Sequence, residues 1–150
     1  MSKNKEYAAT YAEYAMEQMK RYGIPASVTL AQGILESSNG KSELAVKGNA
    51  HFGIKCTDEW LRNNGSYLVY TDDRPNEKFC TYSTVADSYE HHSAFFKENT
   101  RYKDCFALSA DDYKGWCTGL QRAGYATGAN YGGLLQQIIE RNRLNKFDEI

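Results

Sequence analysis

Residues 25–40 have the sequence PASVTLAQGILESSNG, and this stretch decides what kind of fold the chain can adopt. Pro25 suits the first turn of a helix and Asn39-Gly40 suits its end, so we predict a helix that runs to about Ser38. Its apolar residues recur at helical spacing, at Val28, Ala31, Ile34 and Leu35. A stripe this full predicts a helix that is well buried within a helical domain.

A second face of the same helix carries polar and small residues at Thr29, Gln32, Gly33 and Glu36. Glu36 lies in the last turn, where the negative end of the helix dipole and partial burial both raise the pKa of a carboxyl group. A raised carboxyl pKa is what a general acid for glycoside cleavage needs near neutral pH, and Gly33 leaves room for a ligand. The alternative is that Glu36 is an ordinary exposed glutamate late in a helix.

The rest of the chain predicts further helices around one β-hairpin. Residues 66–71 and 78–82 are rich in aromatic and β-branched side chains, and the turn signal at 72–76 lies between them. Helical spacing and end signals predict a first helix over about 5–22, a short one over 42–46 and another that begins after Ser83 or Thr84. A capping box formed by Ser109 and Asp112 predicts a helix from there to Ala123. The last helix is predicted to be capped by Asn130, and its inward-facing residues are Tyr131, Leu134, Leu135, Ile138 and Ile139. The fold class is therefore α+β and mainly helical, with residues 1–150 forming a single domain.

The composition excludes two broad classes of protein. A net charge of −1 over 150 residues is not the strongly basic balance of a nucleic-acid-binding domain. No apolar run approaches the roughly 18 residues that a membrane span requires, so no span is predicted. The first residues, Met1 to Glu6, lack the apolar core of a signal peptide, which leaves the route of export open.

The chain contains four cysteines, Cys56, Cys80, Cys105 and Cys117. None forms a Cys-x-x-Cys pair, and the three histidines show no metal-binding spacing, so neither a metal nor another cofactor is predicted. Chain order favours disulfides between Cys56 and Cys80 and between Cys105 and Cys117, because each pair closes a short loop. The alternative is four reduced, buried thiols.

Four blocks of the sequence, read together, resemble glycoside hydrolase family 73. Residues 35–40 (LESSNG), 49–55 (NAHFGIK) and 123–131 (AGYATGANY) resemble its signature blocks, and 82–96 resemble the helix that follows its hairpin. This family comprises the glucosaminidase domains of bacterial autolysins and flagellar peptidoglycan hydrolases. The resemblance extends from about residue 10 to residue 143, in the order of the family.

The resemblance implies a lysozyme-like fold, in which helices form one wall of a substrate groove and the hairpin forms a flap over it. The implied substrate is peptidoglycan, cut at the β-1,4 bond between N-acetylglucosamine and N-acetylmuramic acid, so the protein would act in the periplasm or cell wall. We expect a monomer whose partner is the glycan strand. A lytic transglycosylase and a non-catalytic wall-binding module remain as alternatives.

The resemblance also implies roles for individual residues. The catalytic acid of the family corresponds to Glu36, and its tyrosine region corresponds to Tyr125 and Tyr131, which would line the sugar subsite. The second carboxylate corresponds best to Asp73 and next to Asp72, although an Asp-Asp pair here also suits plain turn chemistry. Whether the reaction is retaining, inverting or assisted by the substrate stays open. The predicted substrate-binding residues are Gln32, Asn49, His51, Phe52 and Tyr131.

Overall fold

A computed structural model describes residues 2–72 and 74–150 of the chain. These residues form seven α-helices and one two-stranded antiparallel hairpin. In chain order the elements are α1 (Lys3–Tyr22), α2 (Ala26–Glu36), α3 (Glu43–Gly48), α4 (Asp58–Arg62), β1 (Tyr67–Tyr70), β2 (Glu77–Cys80), α5 (Val85–Glu98), α6 (Tyr113–Arg122) and α7 (Tyr131–Arg141). Short 3-10 helices span Thr100–Tyr102, Cys105–Ala107 and Leu144–Asp148. The predicted mainly helical α+β class is confirmed.

Helix α2 lies at the centre of the fold. Every residue from Ala26 to Ile34 is buried, because α1, α6, α7 and the 3-10 helix Leu144–Asp148 pack around it. The predicted stripe is buried at Val28, Ala31 and Ile34, whereas Leu35 is half-buried, and the burial extends to the polar face as far as Gly33. The helix ends at Glu36, two residues before the predicted Ser38, because Ser38 and the two residues after it adopt left-handed backbone angles.

The first turn of α2 is closed by a residue from the far end of the sequence. Pro25 at the N-cap makes no side-chain hydrogen bond. Instead the buried carboxylate of Asp148 accepts hydrogen bonds from the Ser27 amide (2.8 Å) and from the Ser27 hydroxyl (2.6 Å). The free N–H groups of a helix start need such acceptors, so Asp148 acts as its cap.

The hairpin is joined to the helical body along its second strand. Strands β1 and β2 pair from Tyr67↔Cys80 to Tyr70↔Glu77, as predicted but with shorter strands. On the other side of β2, Lys55 forms a bridge with Phe79. The Tyr82 amide then donates to the Gly48 carbonyl (2.8 Å). These bonds hold the base of the hairpin, while its turn extends toward the C-terminal end of α2.

Two predictions about local structure are wrong. Helix α6 begins at Tyr113 and not at Ser109, because Asp112 caps it by accepting from the Gly115 amide (3.0 Å). The Ser109 hydroxyl donates to Asp111 instead, so no capping box forms. In α7, only three of the five side chains predicted to face inward are buried: Tyr131, Leu135 and Ile139. Leu134 is 40% exposed, and Ile138 is half-buried.

The predicted disulfides are also wrong, since all four cysteines are free thiols. The sulfur atoms of Cys56 and Cys80 lie 3.7 Å apart, well beyond the roughly 2.05 Å of a bonded pair. Cys105 and Cys117 are buried, and apolar surroundings raise the pKa of both thiols. The alternative of reduced thiols therefore describes the structure.

Neither a membrane span nor a metal centre is found among the described residues. Their longest helices are not apolar enough to cross a bilayer. Within residues 2–72 and 74–150, no group of three or more His, Cys, Asp or Glu side chains is placed to hold a metal ion.

Candidate active site

A cleft of about 460 Å³ opens where α2 ends. Six parts of the chain meet there: the end of α2, the loop after α3, the hairpin turn, helix α5, the 3-10 segment after it and the loop between α6 and α7. Its lining residues are Glu36, Phe52, Gly53, Ile54, Lys55, Asp72, Phe95, Arg101, Tyr102, Tyr125, Ala126 and Thr127. Predicted blocks that are far apart in sequence therefore form one site.

Glu36 is the carboxyl group at the base of this cleft. Its side chain is open to the cleft, unlike the buried residues before it on α2. The surrounding walls displace much of its water, and this desolvation, followed by the negative charge of Asp72, raises the pKa of Glu36 to about 7. Glu36 can therefore hold a proton near neutral pH and donate it to a bound ligand.

Asp72 brings a second carboxyl group to the cleft from the hairpin turn. It is exposed, and it lies 3.5 Å from the ammonium group of Lys55, which also lines the cleft. Asp73, the other predicted candidate for the second carboxylate, lies outside the described residues. The structure places Asp72 in the same cavity as Glu36.

Two stacked tyrosines lie beside Glu36: Tyr125 lines the cleft, whereas Tyr131 is buried and does not line it. The rings of Tyr125 and Tyr131 lie 5.5 Å apart at an interplanar angle of 26°. Burial raises the pKa of both phenols well above the usual range, and the negative charge of Glu36 raises them further. Both hydroxyls therefore stay protonated and remain hydrogen-bond donors at any pH at which the protein functions.

A buried hydrogen-bond chain holds the hydroxyl of Tyr131 from behind. The Gln32 amide nitrogen donates to the Tyr131 oxygen (3.0 Å), and Nε2 of His92 lies 2.9 Å from the Gln32 amide oxygen. Gln32 and His92 are fully buried, and burial lowers the pKa of His92 to about 3. Because the amide oxygen can only accept, neutral His92 carries its proton on Nε2. The Tyr131 oxygen accepts from Gln32, which leaves its own proton for a partner elsewhere.

Four of the predicted substrate-binding residues, Gln32, Asn49, His51 and Tyr131, do not line the cleft. Gln32 belongs to the chain just described. His51 is buried, and its Nδ1 lies 2.6 Å from the Tyr7 hydroxyl. Asn49 adopts left-handed angles at the end of α3 and donates to the Tyr82 carbonyl (3.0 Å). These side chains support the loops that form the site.

Phe52 and Gly33 also differ from expectation in what they contact. Phe52 lines the cleft, but it is 2% exposed and its ring stacks on His92 at 3.9 Å. Gly33, which was expected to leave room for a ligand, is covered by Tyr7. A Cβ atom at Gly33 would collide with the Tyr7 hydroxyl, so the glycine serves packing inside the fold.

Sequence reasoning missed Arg101 and Tyr102, which line the cleft opposite the hairpin. They lie in a 3-10 turn after α5, a segment with no periodic pattern to single them out. The Arg101 guanidinium lies 5.3 Å from the centre of the Tyr102 ring and donates to the Ala123 carbonyl (3.3 Å). Lys55 lies within a block of the resemblance, but its place beside Asp72 was not predicted.

A glutamate with a raised pKa at a helix end, in one aromatic cleft with a hairpin carboxylate, is an arrangement that suits a glycosidase working by general acid catalysis. Comparison with known proteins gives the particular family. A family model named Glucosaminidase, described as mannosyl-glycoprotein endo-beta-N-acetylglucosaminidase, matches residues 12–144. The chain belongs to this glucosaminidase family, glycoside hydrolase family 73.

Curated relatives and solved structures agree with this assignment. The chain is 34% identical over 144 residues to the exo-glucosaminidase LytG of Bacillus subtilis, covering 87% of this chain and 49% of LytG. It is 31% identical over 147 residues to the peptidoglycan hydrolase FlgJ of Pseudomonas aeruginosa, covering 91% and 36%. The catalytic domain of the autolysin Auto from Listeria monocytogenes is similar in structure, with a TM-score of 0.81 at 26% identity, covering 99% of this chain and 89% of that one. The predicted lysozyme-like fold is thereby confirmed. The chain spans less than half the length of these two curated relatives.

Proposed function

We propose that this domain is a peptidoglycan hydrolase, active in the periplasm or cell wall, that cleaves the β-1,4 bond between N-acetylglucosamine and N-acetylmuramic acid. The observation that carries the proposal is Glu36, whose pKa is raised to about 7 at the base of an aromatic cleft. The names of the relatives, an exo-glucosaminidase and a peptidoglycan hydrolase, support the choice of substrate.

In the proposed reaction, Glu36 gives its proton to the oxygen that links the two sugars. The bond from this oxygen to C1 of the N-acetylglucosamine breaks, and positive charge develops at C1. Asp72 contributes in two ways: its negative charge keeps Glu36 protonated, and it stabilises the developing cation from the hairpin side. Water then adds a hydroxyl group to C1, and its remaining proton restores Glu36, directly or through another carboxylate.

The proposal also gives a role to Tyr131, which is buried, does not line the cleft and keeps a phenol proton that Gln32 does not take up. Gln32 donates to the Tyr131 oxygen, so the phenol proton is directed away from the core. Acceptors for that proton on the substrate side are the acetamido carbonyl of the sugar and the attacking water. Gln32 and His92 act here as positioning residues, since neither touches the cleft.

The proposal is tested by replacing Glu36→Gln, which keeps the size of the side chain but removes its acid proton. We expect hydrolysis of purified peptidoglycan to fall by a factor of about 10² to 10⁴, the contribution typical of general acid catalysis. Sugar fragments would be identified by mass spectrometry. Glu13→Gln on the exposed side of α1 is the matched control and should retain full activity. Full activity of Glu36→Gln would contradict the assignment.

The same mass spectra separate the two enzymatic alternatives. Hydrolysis adds one water across the cleaved bond, so it yields fragments that end in a reducing N-acetylglucosamine. Anhydro-muramic ends, together with no effect of Asp72→Asn, would instead assign a lytic transglycosylase. Binding of peptidoglycan without turnover would assign a wall-binding module.

A further inference from the structure

A second cavity, of about 600 Å³, lies next to the cleft on the other side of Arg101. We refer to it as the basic groove. It runs between the 3-10 segments after α5 and the helix α6, and three of its lining side chains are cationic: Arg101, Lys114 and Arg122. Since Arg101 lines both cavities, the groove continues directly from the proposed active site.

The cations of the groove are only partly neutralised by neighbouring carboxylates. Asp104 and Asp112 also line it, but one oxygen of Asp112 is occupied by capping α6. Lys114 lies at the long distance of 3.9 Å from Glu140. Among the described residues, no carboxylate lies within salt-bridge distance of either arginine. Two guanidinium groups therefore have N–H donors that are open to a ligand.

Arg101 is held in place for such a ligand. Its hydrogen bond to the Ala123 carbonyl and its position over the Tyr102 ring fix the plane of the guanidinium group. A planar guanidinium binds a carboxylate through two parallel hydrogen bonds, which suits a carboxylate better than a neutral sugar hydroxyl. Because the whole chain carries a net charge of −1, this positive groove is a local feature and does not follow from the overall charge.

We propose that the basic groove binds the carboxylate groups of the peptide stem that the substrate carries on its muramic acid. This inference rests on the proposed function. The muramic acid is the sugar on one side of the cleaved bond, so its peptide leaves the cleft within a few ångströms of the reacting atoms. Stem peptides carry free carboxylates and glycan hydroxyls do not, so the groove matches the anionic part of the polymer.

The test compares glycan strands that carry their peptides with the same strands after the peptides have been removed by an amidase. Arg122→Gln should raise KM about tenfold on peptide-bearing strands, the size expected for one charge-assisted contact that is open to water. On naked strands its KM and kcat should equal those of the wild type. Lys114→Gln should show the same selectivity to a smaller extent, and Arg141→Gln, exposed at the end of α7, is the matched control without effect.

An equal loss on both substrates, or no loss on either, would overturn the inference. A second readout does not need turnover: a free stem peptide is titrated into Glu36→Gln protein while the amide signals of Gly119 and Arg122 are followed by NMR. Shifts that vanish in Arg122→Gln support the groove, and unchanged signals at saturating peptide contradict it. If the wild type cleaves neither kind of strand, the proposed function fails, and the titration still decides the groove.

Discussion

At the scale of single residues, Glu36 is distinguished by its surroundings more than by its position late in a helix. The helix dipole acts on any carboxyl group in a last turn, but here desolvation by the cleft walls has the largest effect on its pKa. The charge of Asp72 adds to it from another element of the fold. The sequence indicates the direction of the shift, whereas the contribution of Asp72 requires the hairpin turn to be placed against α2.

The raised pKa of Glu36 predicts the alkaline limb of the activity profile. A general acid works only while protonated, so kcat/KM should fall as the pH rises through about 7. Asp72→Asn removes a negative charge that favours the protonated form, so the limb should move to lower pH. The measurement is kcat/KM against pH at constant ionic strength, with Asp58→Asn on α4 as the control. A limb at the wild-type position in Asp72→Asn would refute this electrostatic role.

Gln32 shows how a buried residue can act on the site without touching a ligand. Replacing Gln32→Met removes the hydrogen-bond donor to Tyr131. We expect kcat to fall about tenfold, which is less than the fall caused by removing a group that itself donates to the transition state. Tyr131→Phe should cause a similar loss, and the double variant should be no worse than the more affected single variant, because both changes break one chain. Gln18→Met, at a buried glutamine on α1, is the control. Losses that multiply in the double variant would show that the two residues act separately.

At the scale of elements, α2 depends on a distant residue for its first turn. Asp148 supplies two acceptors there, although burial raises its pKa to about 6. The family match ends at residue 144, so this cap lies just beyond the matched region.

Removing this cap should destabilise α2, the helix that carries the proposed catalytic acid. Asp148→Ala should lower the free energy of unfolding by about 1 to 2 kcal/mol, as for other helix caps. Urea denaturation monitored by circular dichroism measures the change. Glu149→Ala, at the exposed neighbouring position, should leave the stability nearly unchanged. Equal midpoints for the two variants would refute the capping role.

The hairpin illustrates what local sequence can and cannot predict. Its two strands and turn follow from β-branched and aromatic residues around a turn signal, and the structure confirms them. The pairing of Lys55 with Phe79 on the other side of β2 was not predicted, since residues 54–56 show no strand pattern. Local patterns predict a strand, whereas the segment that pairs with its second edge depends on the tertiary fold.

At the scale of the whole molecule, the predictions that succeeded rest on patterns within one segment or on blocks taken together. The helical class and the hairpin belong to this group, and Glu36, Asp72 and Tyr125 do line one cleft, although their roles in catalysis stay predictions. Apart from the start of α6 and the inward face of α7, the predictions that failed concern contacts between segments. Cys56 and Cys80 do lie side by side, but sequence order could not show that they remain unbonded. His51 and Gln32 carry polar groups that suit a ligand, but only packing shows that these groups bond inside the core.

The basic groove belongs to the same class of unpredictable features. Nothing in the sequence distinguishes Arg101 and Arg122 from other charged residues. Only the structure shows that a 3-10 turn and a helix bring them to one cavity. Arg101 lines both cavities, so its guanidinium group joins the cleft that holds Glu36 and Asp72 to the groove that holds Lys114 and Arg122.

The cap on α2 also sets a constraint on synthesis. Ser27 and Asp148 are separated by 121 positions, so a ribosome needs roughly 6 to 24 seconds after making the first turn of α2 before its acceptor exists. Until residue 148 has emerged from the ribosome, the first turn of the helix that carries Glu36 lacks the acceptor for the Ser27 amide. The order of translation therefore delays completion of α2 until nearly all of the residues that pack around it have been made.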